Sequence, residues 1–420
     1  MPDSAAPLVS SPVTGGGLLR RGVVPLLAMA FIVASAVAVL LFDTTRTDLD
    51  VFFWPSAEIA AHGHPLLVYT LRAGQYPNAN GPVSLLPLTL VAAVANALGW
   101  QHSLEPRDAL TVGAFAVFSL LLAREAVLAV EAGRGGRTRR LPVAAVFLLA
   151  PPLWVALVGF GHIEQPLELW LTLLGVRLLG RGATVRAGVC LGLAVMTRSV
   201  AAVCLLPLVL ALVVDRRWAR GAALTVTVAV TAAAVVAPFW LADRSDVVYS
   251  LLTYRGSLPT VGGSLWVAFP GAAWAGFVQH ADALLFAGAA LVLSAAVLAV
   301  RPRGGWAPPR VYGLLAVAAG CVPMLAKTSW PYYLLDPCVF AAIWWLGRPG
   351  RVLSWRLSAP LLLAAGGIVL AAVEPTLPLA PGPGAVVGIL ASAGMALVIV
   401  LVMAGNLGPG VATPRGRPPA

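Results

Sequence analysis

Charged residues are scarce in this sequence of 420 residues, and their scarcity argues against a water-soluble protein. Only 11% of the residues are charged, 59% are hydrophobic, and the mean hydropathy is +0.88. A soluble domain normally has about a quarter of its residues charged. Apolar runs of about 20 residues recur along the chain, and each is long enough to cross a bilayer as a helix. The sequence therefore predicts an all-α, polytopic membrane protein.

Neither the cysteines nor the glycine tracts indicate a disulfide framework, a metal site or a nucleotide-binding loop. The four cysteines lie in or beside apolar runs without CxxC spacing, so no disulfide framework and no metal site is expected. They are Cys190, Cys204, Cys321 and Cys338. The glycine tracts stand in tails or short basic loops rather than between a strand and a helix, so they do not indicate a nucleotide site.

Arginines account for all but one of the 28 basic residues, and they determine the predicted topology. The net charge of +11 would suit a nucleic-acid-binding protein, but the arginines form short clusters between apolar runs. This distribution is typical of membrane-topology signals, so no nucleic-acid partner is expected. The clusters are Arg20 and Arg21; Arg134, Arg137, Arg139 and Arg140; Arg177, Arg181 and Arg186; Arg216, Arg217 and Arg220; Arg301, Arg303 and Arg310; Arg348, Arg351 and Arg356; and Arg415 and Arg417.

Placing every cluster in the cytoplasm fixes the path of the chain. If the apolar run 81–99 crossed the membrane, every later arginine cluster would lie on the external side. We therefore expect this run to be re-entrant or to lie at the membrane interface. Residues 187–214 then form a hairpin of two short helices around Arg198. About twelve spanning helices result, with both termini inside. Most acidic residues fall in or beside the external loops, and Glu168, Asp282 and Asp336 are among them.

The predicted organisation has four parts. Residues 1–21 and 406–420, rich in Pro, Gly, Ser and Arg, are expected to be disordered tails. Residues 22–214 form a first module with a long external loop at 43–108. Residues 215–405 form the C-terminal helices, with an external loop at 242–282.

The first external loop contains two carboxylates directly after the first helix. Asp48 and Asp50 flank Leu49, and a carboxylate held at the membrane surface can act as a general base toward a hydroxyl group. Two such carboxylates can also ligate a divalent ion. Alternatively, either residue caps the segment that follows as a helix N-cap.

Two tight apices carry further polar residues. His162, Glu164 and Gln165 stand at the mouth of the bundle, where ionisable groups are usually functional, although an interface turn would also explain them. Arg198 lies at the apex of the predicted hairpin. A guanidinium there suits a phosphate oxyanion, and a snorkelling topology residue is the alternative.

The late external loops add cations and aromatic rings. Tyr254 and Arg255 belong to the loop 242–282, and Lys327 stands beside Tyr332 and Tyr333 in the next one. Aromatic residues at membrane interfaces are common anchors. A lone lysine among them is suited to anionic lipid phosphates, and the rings can stack on sugars.

These features in this order resemble the GT-C glycosyltransferases, and within them the family-87 mannosyltransferases of actinobacteria, including the phosphatidylinositol-mannoside type. Residues 48–52 (DLDVF) are similar to a family D-L-x-V-Y after helix 1. Tyr76-Pro77 followed by Pro82 is similar to a Y-P-P-L stretch. Residues 161–165 stand where the family has G-Q-x-N, and a G-L-A run precedes Arg198. The segment 327–333 resembles a late basic-aromatic apex.

The resemblance implies an activity and a set of roles. The enzyme would move a sugar, mannose in the first instance, from a polyprenyl-phosphate donor to a cell-envelope glycolipid or glycan. Asp48 would be the catalytic base, with Asp50 as second candidate and Glu164 as the second-loop residue. Arg198, Arg255 or Lys327 would face the donor phosphate. No cofactor and no obligatory metal is expected.

The resemblance also implies a location, and two other classes of function remain open. The active site would lie on the extracytoplasmic face of a multi-pass plasma-membrane protein, and we expect a monomer whose partners are membrane lipids and the two substrates. A transporter or flippase of lipid-linked sugars is one alternative. An envelope glycan polymerase or ligase is the other. Replacement of Asp48 separates these classes, because a transporter should survive it.

Overall fold

The computed structural model describes residues 16–41, 48–70, 77–258, 260–262, 264–268, 275–300, 308–348 and 381–407. This part of the chain is predominantly helical, as the composition predicts. Its α-helices are α1 Gly16–Leu41, α2 Trp54–Ala61, α3 Leu85–Ala97, α4 Leu104–Arg134, α5 Arg140–Leu148, α6 Pro151–Trp154, α7 Glu164–Gly180, α8 Thr184–Val195, α9 Ala202–Val214, α10 Trp218–Ala242, α11 Arg244–Val248, α12 Tyr254–Ser257, α13 Ala275–Val300, α14 Pro308–Leu325, α15 Leu335–Leu346 and α16 Pro381–Leu407.

Short irregular elements connect these helices. The π-helical turns are Leu49–Phe53, Val155–Gly159 and Tyr249–Thr253, and the 3₁₀ turns are Pro65–Leu67, Ser199–Ala201, Leu265–Ala268 and Pro331–Leu334. Two strands of two residues each, β1 Val261–Gly262 and β2 Thr328–Ser329, pair in parallel. The pairing joins the loop after α12 to the loop after α14.

The predicted count of about twelve spanning helices is not confirmed. Within the described residues, five helices are long and apolar enough to cross a membrane, or six if α5 and the 151–159 segment form one span bent by 49°. Several predicted spans are helices too short to cross alone; α8, for example, has 12 residues and is about 18 Å long. A core of about 30 Å needs about 20 residues. The predicted span 356–373 lies outside the described residues.

Four predicted boundaries differ from the structure, and one of them is the C-terminal tail, because α16 continues to Leu407. α1 begins at Gly16, so the last residues of the predicted tail 1–21 are helical. α4 begins at Leu104 and α13 at Ala275, so each takes in the end of a predicted external loop. Glu105 supplies the negative charge that favours a helix N-terminus in α4. The rest of both predicted tails, 1–15 and 408–420, lies outside the described residues.

The segment 184–214 is a hairpin, and the register of its neighbours shows this. Gly188 of α8 lies against Thr227 of α10, and Gly192 lies against Thr231, so α8 and α10 run in the same direction. The intervening α9 must therefore run back, and the turn between α8 and α9 carries Arg198. The run 81–99 contains α3, whose 13 residues extend about 20 Å, less than the thickness of a bilayer core.

Among the described residues, the arginine clusters that contain Arg134, Arg177 and Arg220 lie at one end of the bundle, which we call the basic end. The guanidinium of Arg220 donates to the carbonyl oxygen of Leu179, and Arg177 pairs with Glu125. Arg134 donates to the carbonyl oxygen of Leu346. These contacts bring four separate loops together, as the topology argument requires. The candidate site residues lie at the opposite end.

Candidate active site

A chain of buried polar groups lies at the end of the bundle opposite the basic end. The imidazole of His162 is its centre, because Nε2 lies 2.6 Å from Oδ2 of Asp48 and Nδ1 lies 2.6 Å from Oε1 of Glu164. Asp48 immediately precedes the π-helical turn 49–53, and Glu164 begins α7. Two segments more than 100 residues apart in sequence are thereby joined through one ring.

The imidazole is held between two aromatic side chains as well as between two carboxylates. The ring of Tyr332 stacks on it with centroids 3.6 Å apart, and Phe53 meets it edge-on at 5.8 Å. Because both ring nitrogens face carboxylate oxygens, this arrangement favours the imidazolium form, in which both nitrogens donate. The site thus fixes both the orientation and the charge of His162.

The charge on His162 makes the stability of this group of buried side chains sensitive to alkaline pH. Burial by itself favours the neutral ring, but the Glu164 and Asp48 carboxylates outweigh burial and raise the pKa of His162 from 6.5 to about 9. A cation with a raised pKa stabilises the folded state fully below about pH 6.5, and this stabilisation is lost as the pH rises through about 9.

We expect the thermal midpoint in detergent to fall between pH 7 and pH 10, and His162→Gln to remove most of this fall. Thermal unfolding monitored across that pH range measures the difference between wild type and variant. His102→Gln, at an exposed position, is the matched control and should keep the wild-type profile. A His162→Gln profile parallel to that of the wild type would contradict the assignment.

Gly161 makes the contact between the two segments possible. Its φ of +68° lies in the left-handed region, and a Cβ there would lie 2.6 Å from the Cβ of Leu49. Leu49 follows Asp48, so any side chain at position 161 pushes the carboxylate away from His162. The left-handed conformation alone costs a non-glycine residue about 1–2 kcal/mol.

We therefore expect Gly161→Ala to lower the thermal midpoint and to suppress the activity of the site, although no ionisable group is removed. Gly159→Ala is the matched control. A Cβ at position 159 meets only Val155, at 3.9 Å, which is an ordinary contact. Thermal unfolding and an activity assay on both variants check this prediction, and equal behaviour of the two would refute it.

Arg198 lies at the hairpin apex, buried among carboxylates. Its Nε is 3.5 Å from Oε1 of Glu164, and its Nη1 is 3.8 Å from Oε2 of Glu168 and 3.3 Å from Oδ2 of Asp336. The sequence suggested a phosphate ligand at this position. In the structure the guanidinium holds α7, α15 and the hairpin apex together.

Gln165 and Asn80 complete the hydrogen bonding of this centre. The Gln165 amide donates to the Tyr332 carbonyl oxygen at 2.8 Å and to Oδ1 of Asp336 at 2.6 Å. The Asn80 amide lies 3.4 Å from Oε1 of Glu164. Asn80 follows the interrupted Tyr76-Pro77 stretch, of which Tyr76 lies outside the described residues.

Asp50 belongs to a different group from Asp48. Its carboxylate pairs with Arg107, which also binds Asp108 at 2.9 Å and covers the ring of Trp54 at 4.7 Å. Arg107 lies in the first turns of α4, so this ion pair fastens the first loop to that helix. The geometry separates the two aspartates that the sequence could not distinguish.

A second polar group contains the predicted cations of the late loops. Arg255 pairs with Asp282 at 2.8 Å and also interacts with the Tyr333 side chain. The ammonium of Lys327 is buried and donates to the carbonyl oxygens of Gly256 and Gln279 at 3.0 and 2.6 Å. The face of the Tyr333 ring lies 5.8 Å from the Arg198 guanidinium and so connects the two groups.

Tyr254, which precedes Arg255, contacts the first loop. Its ring lies 6.1 Å from the ring of Phe52, within the DLDVF stretch. The structure thus brings Asp48, His162, Glu164, Gln165, Arg198 and Tyr332 into one centre. Arg255, Lys327 and Tyr333 form its neighbour, Tyr254 lies at the edge, and Asp50 stands apart.

Three residues important to these groups were not among the predicted site residues. Glu168 follows Glu164 by one helical turn, which places the two on one face of α7. Asp336 and Asp282 each interrupt an apolar run, and an ionisable residue within such a run usually faces the bundle interior. These two signals would have identified all three residues.

No protein-family profile matches this chain, and no curated protein is similar to it in sequence. The fold and the site define a helical membrane protein with a buried ionic centre at one end of its helices.

Proposed function

We propose that this protein is an integral membrane glycosyltransferase of the GT-C type. It would transfer a sugar, with mannose as the first candidate, from a polyprenyl-phosphate donor to a glycolipid or glycan of the cell envelope. The observation that carries the proposal is the Asp48 carboxylate, held by a buried imidazolium at the mouth of the bundle.

Asp48 has the properties that a general base requires. Its side chain is 17% exposed, whereas those of Glu164, Glu168 and Asp336 are 0%, 1% and 7% exposed, so it is the carboxylate of this centre that a substrate can reach. The imidazole of His162, 2.6 Å from Oδ2, orients this carboxylate. Asp48 would accept the proton of the acceptor hydroxyl as its oxygen attacks the anomeric carbon, with inversion.

Arg255 is the best-placed cation for the leaving phosphate. Its side chain is 28% exposed, and its buried Nε has no hydrogen-bond partner among the described residues. A guanidinium can grip a phosphate in bidentate fashion and stabilise the charge that develops as the sugar leaves. Lys327 is more deeply buried than Arg255, and its positive charge would also favour the phosphate at Arg255. The protein's own cations thus supply the charge stabilisation, so we propose a metal-independent transfer with no cofactor.

The two ends of the bundle suggest its orientation in the plasma membrane. Arginine-rich loops favour the cytoplasmic side, so the basic end would face the cytoplasm and Asp48 the extracytoplasmic side. A polyprenyl-phosphate donor would then reach the site from the lipid, with its chain between helices. We propose that the protein acts as a monomer with membrane lipids as its surroundings.

A transporter of lipid-linked sugars is the second candidate, favoured by the carboxylates around Arg198. Buried acidic chains within helical bundles are typical of proton-coupled transporters. An envelope polymerase or ligase would share the outer cations, but no contact in the described residues favours it over transfer of a single sugar.

Reconstitution separates transfer from transport. Purified protein in vesicles receives a polyprenyl-phosphate sugar labelled in the sugar, together with an envelope glycolipid extract. A transferase yields label covalently attached to a new lipid species on chromatography. A transporter leaves the label on its original lipid and changes only the leaflet in which it resides. Vesicles without protein give the background for both readouts.

A further inference from the structure

The formal charges around Arg198 do not balance. Among the described residues, four carboxylates, those of Asp48, Glu164, Glu168 and Asp336, face two cations, His162 and Arg198, so full ionisation would leave a charge of −2 (+2 − 4). An uncompensated charge buried away from water costs several kcal/mol, and such groups usually change protonation instead.

The neighbouring groups do not remove this imbalance. Arg255, Lys327 and Asp282 together carry one excess positive charge (+2 − 1). Arg107 already pairs with two carboxylates, Asp50 and Asp108, so its charge does not compensate this centre. Cys204 lies near Glu168 and Asp336, and Cys338 lies near Asp336, but these thiols add no charge at neutral pH.

A second, independent observation is the number of acceptor oxygens without a donor. Oε2 of Glu164, Oε1 of Gln165 and Oε2 of Glu168 are buried and have no hydrogen-bond partner within the described part of the chain. Each of these side chains is at least nine-tenths buried. A proton on one of the carboxyl oxygens supplies a donor and removes one negative charge at the same time.

Asp48 and Glu164 each contact His162, whereas Glu168 and Asp336 approach the same nitrogen of Arg198, so the charges of Glu168 and Asp336 are the least compensated. Oε2 of Glu168 and Oδ2 of Asp336 lie 3.8 and 3.3 Å from the same nitrogen, Nη1. The guanidinium occupies the space between the carboxylates and repels a metal ion there. The described residues also contain no group of three His, Cys, Asp or Glu side chains placed to hold a metal.

We propose that Glu168 and Asp336 bind one proton between them at neutral pH, as a proton-binding site inside the bundle next to the Asp48–His162–Glu164 chain. Two carboxylates close together in a buried site cannot both ionise without a large cost, so one proton serves both. The shared proton lowers the charge that Arg198 must compensate, and this lets the same guanidinium hold Glu164. The inference does not depend on the proposed function.

Infrared spectroscopy of the purified protein in detergent tests this proposal directly. A protonated carboxyl group gives a carbonyl stretching band that a carboxylate lacks and that shifts in deuterium oxide. We expect this band in the wild type at pH 7. Glu168→Gln and Asp336→Asn should each abolish the band, because the remaining carboxyl group then ionises against Arg198. Glu131→Gln, at the basic end, is the control and should retain it.

Thermal unfolding of the same variants gives the second readout. An amide has the shape of a protonated carboxyl group, so we expect Glu168→Gln to retain the wild-type thermal midpoint. Absence of the band in the wild type, or its persistence in either single variant, would overturn the proposal. A thermal midpoint that rises with sodium but not with choline at equal ionic strength would assign the missing charge to a metal cation and would also overturn it.

Discussion

Asp48→Asn should lower the rate of sugar transfer by about 10²–10⁴-fold, the range that removal of a general base produces. Asparagine keeps the shape of the side chain and can still contact His162, so the fold should persist while proton acceptance is lost. The turnover rate of purified protein with a saturating labelled donor measures the effect. Thermal unfolding of the variant shows whether the site is intact.

Asp50→Asn is the matched variant for this test. Asp50 lies two residues away, but Arg107 engages it, and Arg107 keeps Asp108 when Asp50 is neutralised. We expect this variant to retain most of the transfer rate. If the two variants lost equal fractions of the transfer rate, the result would not support Asp48 as the base. Full activity of a well-folded Asp48→Asn protein would rule out its role as the base.

Arg198→Met should destabilise the protein by about 3–5 kcal/mol, the cost of removing one partner from a buried ion pair. The guanidinium links the hairpin apex to α7 and α15, and its loss leaves three buried carboxylates without their common cation. Thermal or denaturant unfolding in detergent measures the change. We also expect Glu168→Gln to restore part of the lost stability in the Arg198→Met background.

Arg124→Met provides the control for this second prediction. Arg124 also pairs with a buried carboxylate, Glu125, but its side chain is 65% exposed, and Glu125 keeps Arg177 as a partner. An exposed pair of this kind contributes about 0–1 kcal/mol. If Arg198→Met were as mild as Arg124→Met, the buried ionic centre would not be what holds the hairpin apex in place.

The helical fold and the grouping of the arginines were predictable because both follow from the alternation of apolar runs and basic clusters along the sequence. Apolar runs specify helices, and basic clusters specify which loops lie together. The reversal of direction at Arg198 also followed, since only a hairpin keeps Arg186 and Arg216 at the same end. The number of spans could not be predicted from the sequence, because hydropathy does not reveal where a helix breaks. The break between α5 and α6 is an example.

The candidate site was predictable in its members but not in its pairing. His162, Glu164 and Arg198 attracted attention as ionisable groups among apolar residues, which is a local property of the sequence. Their partners depend on contacts between distant segments, such as the close approach of Gly161 to Leu49. Glu168 was passed over because it was counted as an ordinary loop acid, although its spacing from Glu164 placed both on one face of α7.

The difference between Asp48 and Asp50 shows the limit most clearly. The sequence gives both residues the same surroundings, two positions apart after an apolar run. The structure separates them, because one meets an imidazolium in a turn 114 residues away and the other meets Arg107 in α4. No rule of local spacing distinguishes these outcomes.

The measurement that tests the central claim most directly is transfer by the purified wild-type protein. The protein is mixed with polyprenyl-phosphate mannose, labelled in the sugar, and an envelope glycolipid extract, with and without EDTA. We predict that label moves into a new glycolipid at the same rate in both mixtures. No transfer from any polyprenyl-phosphate sugar, by protein that unfolds cooperatively, would contradict the claim and favour a transporter.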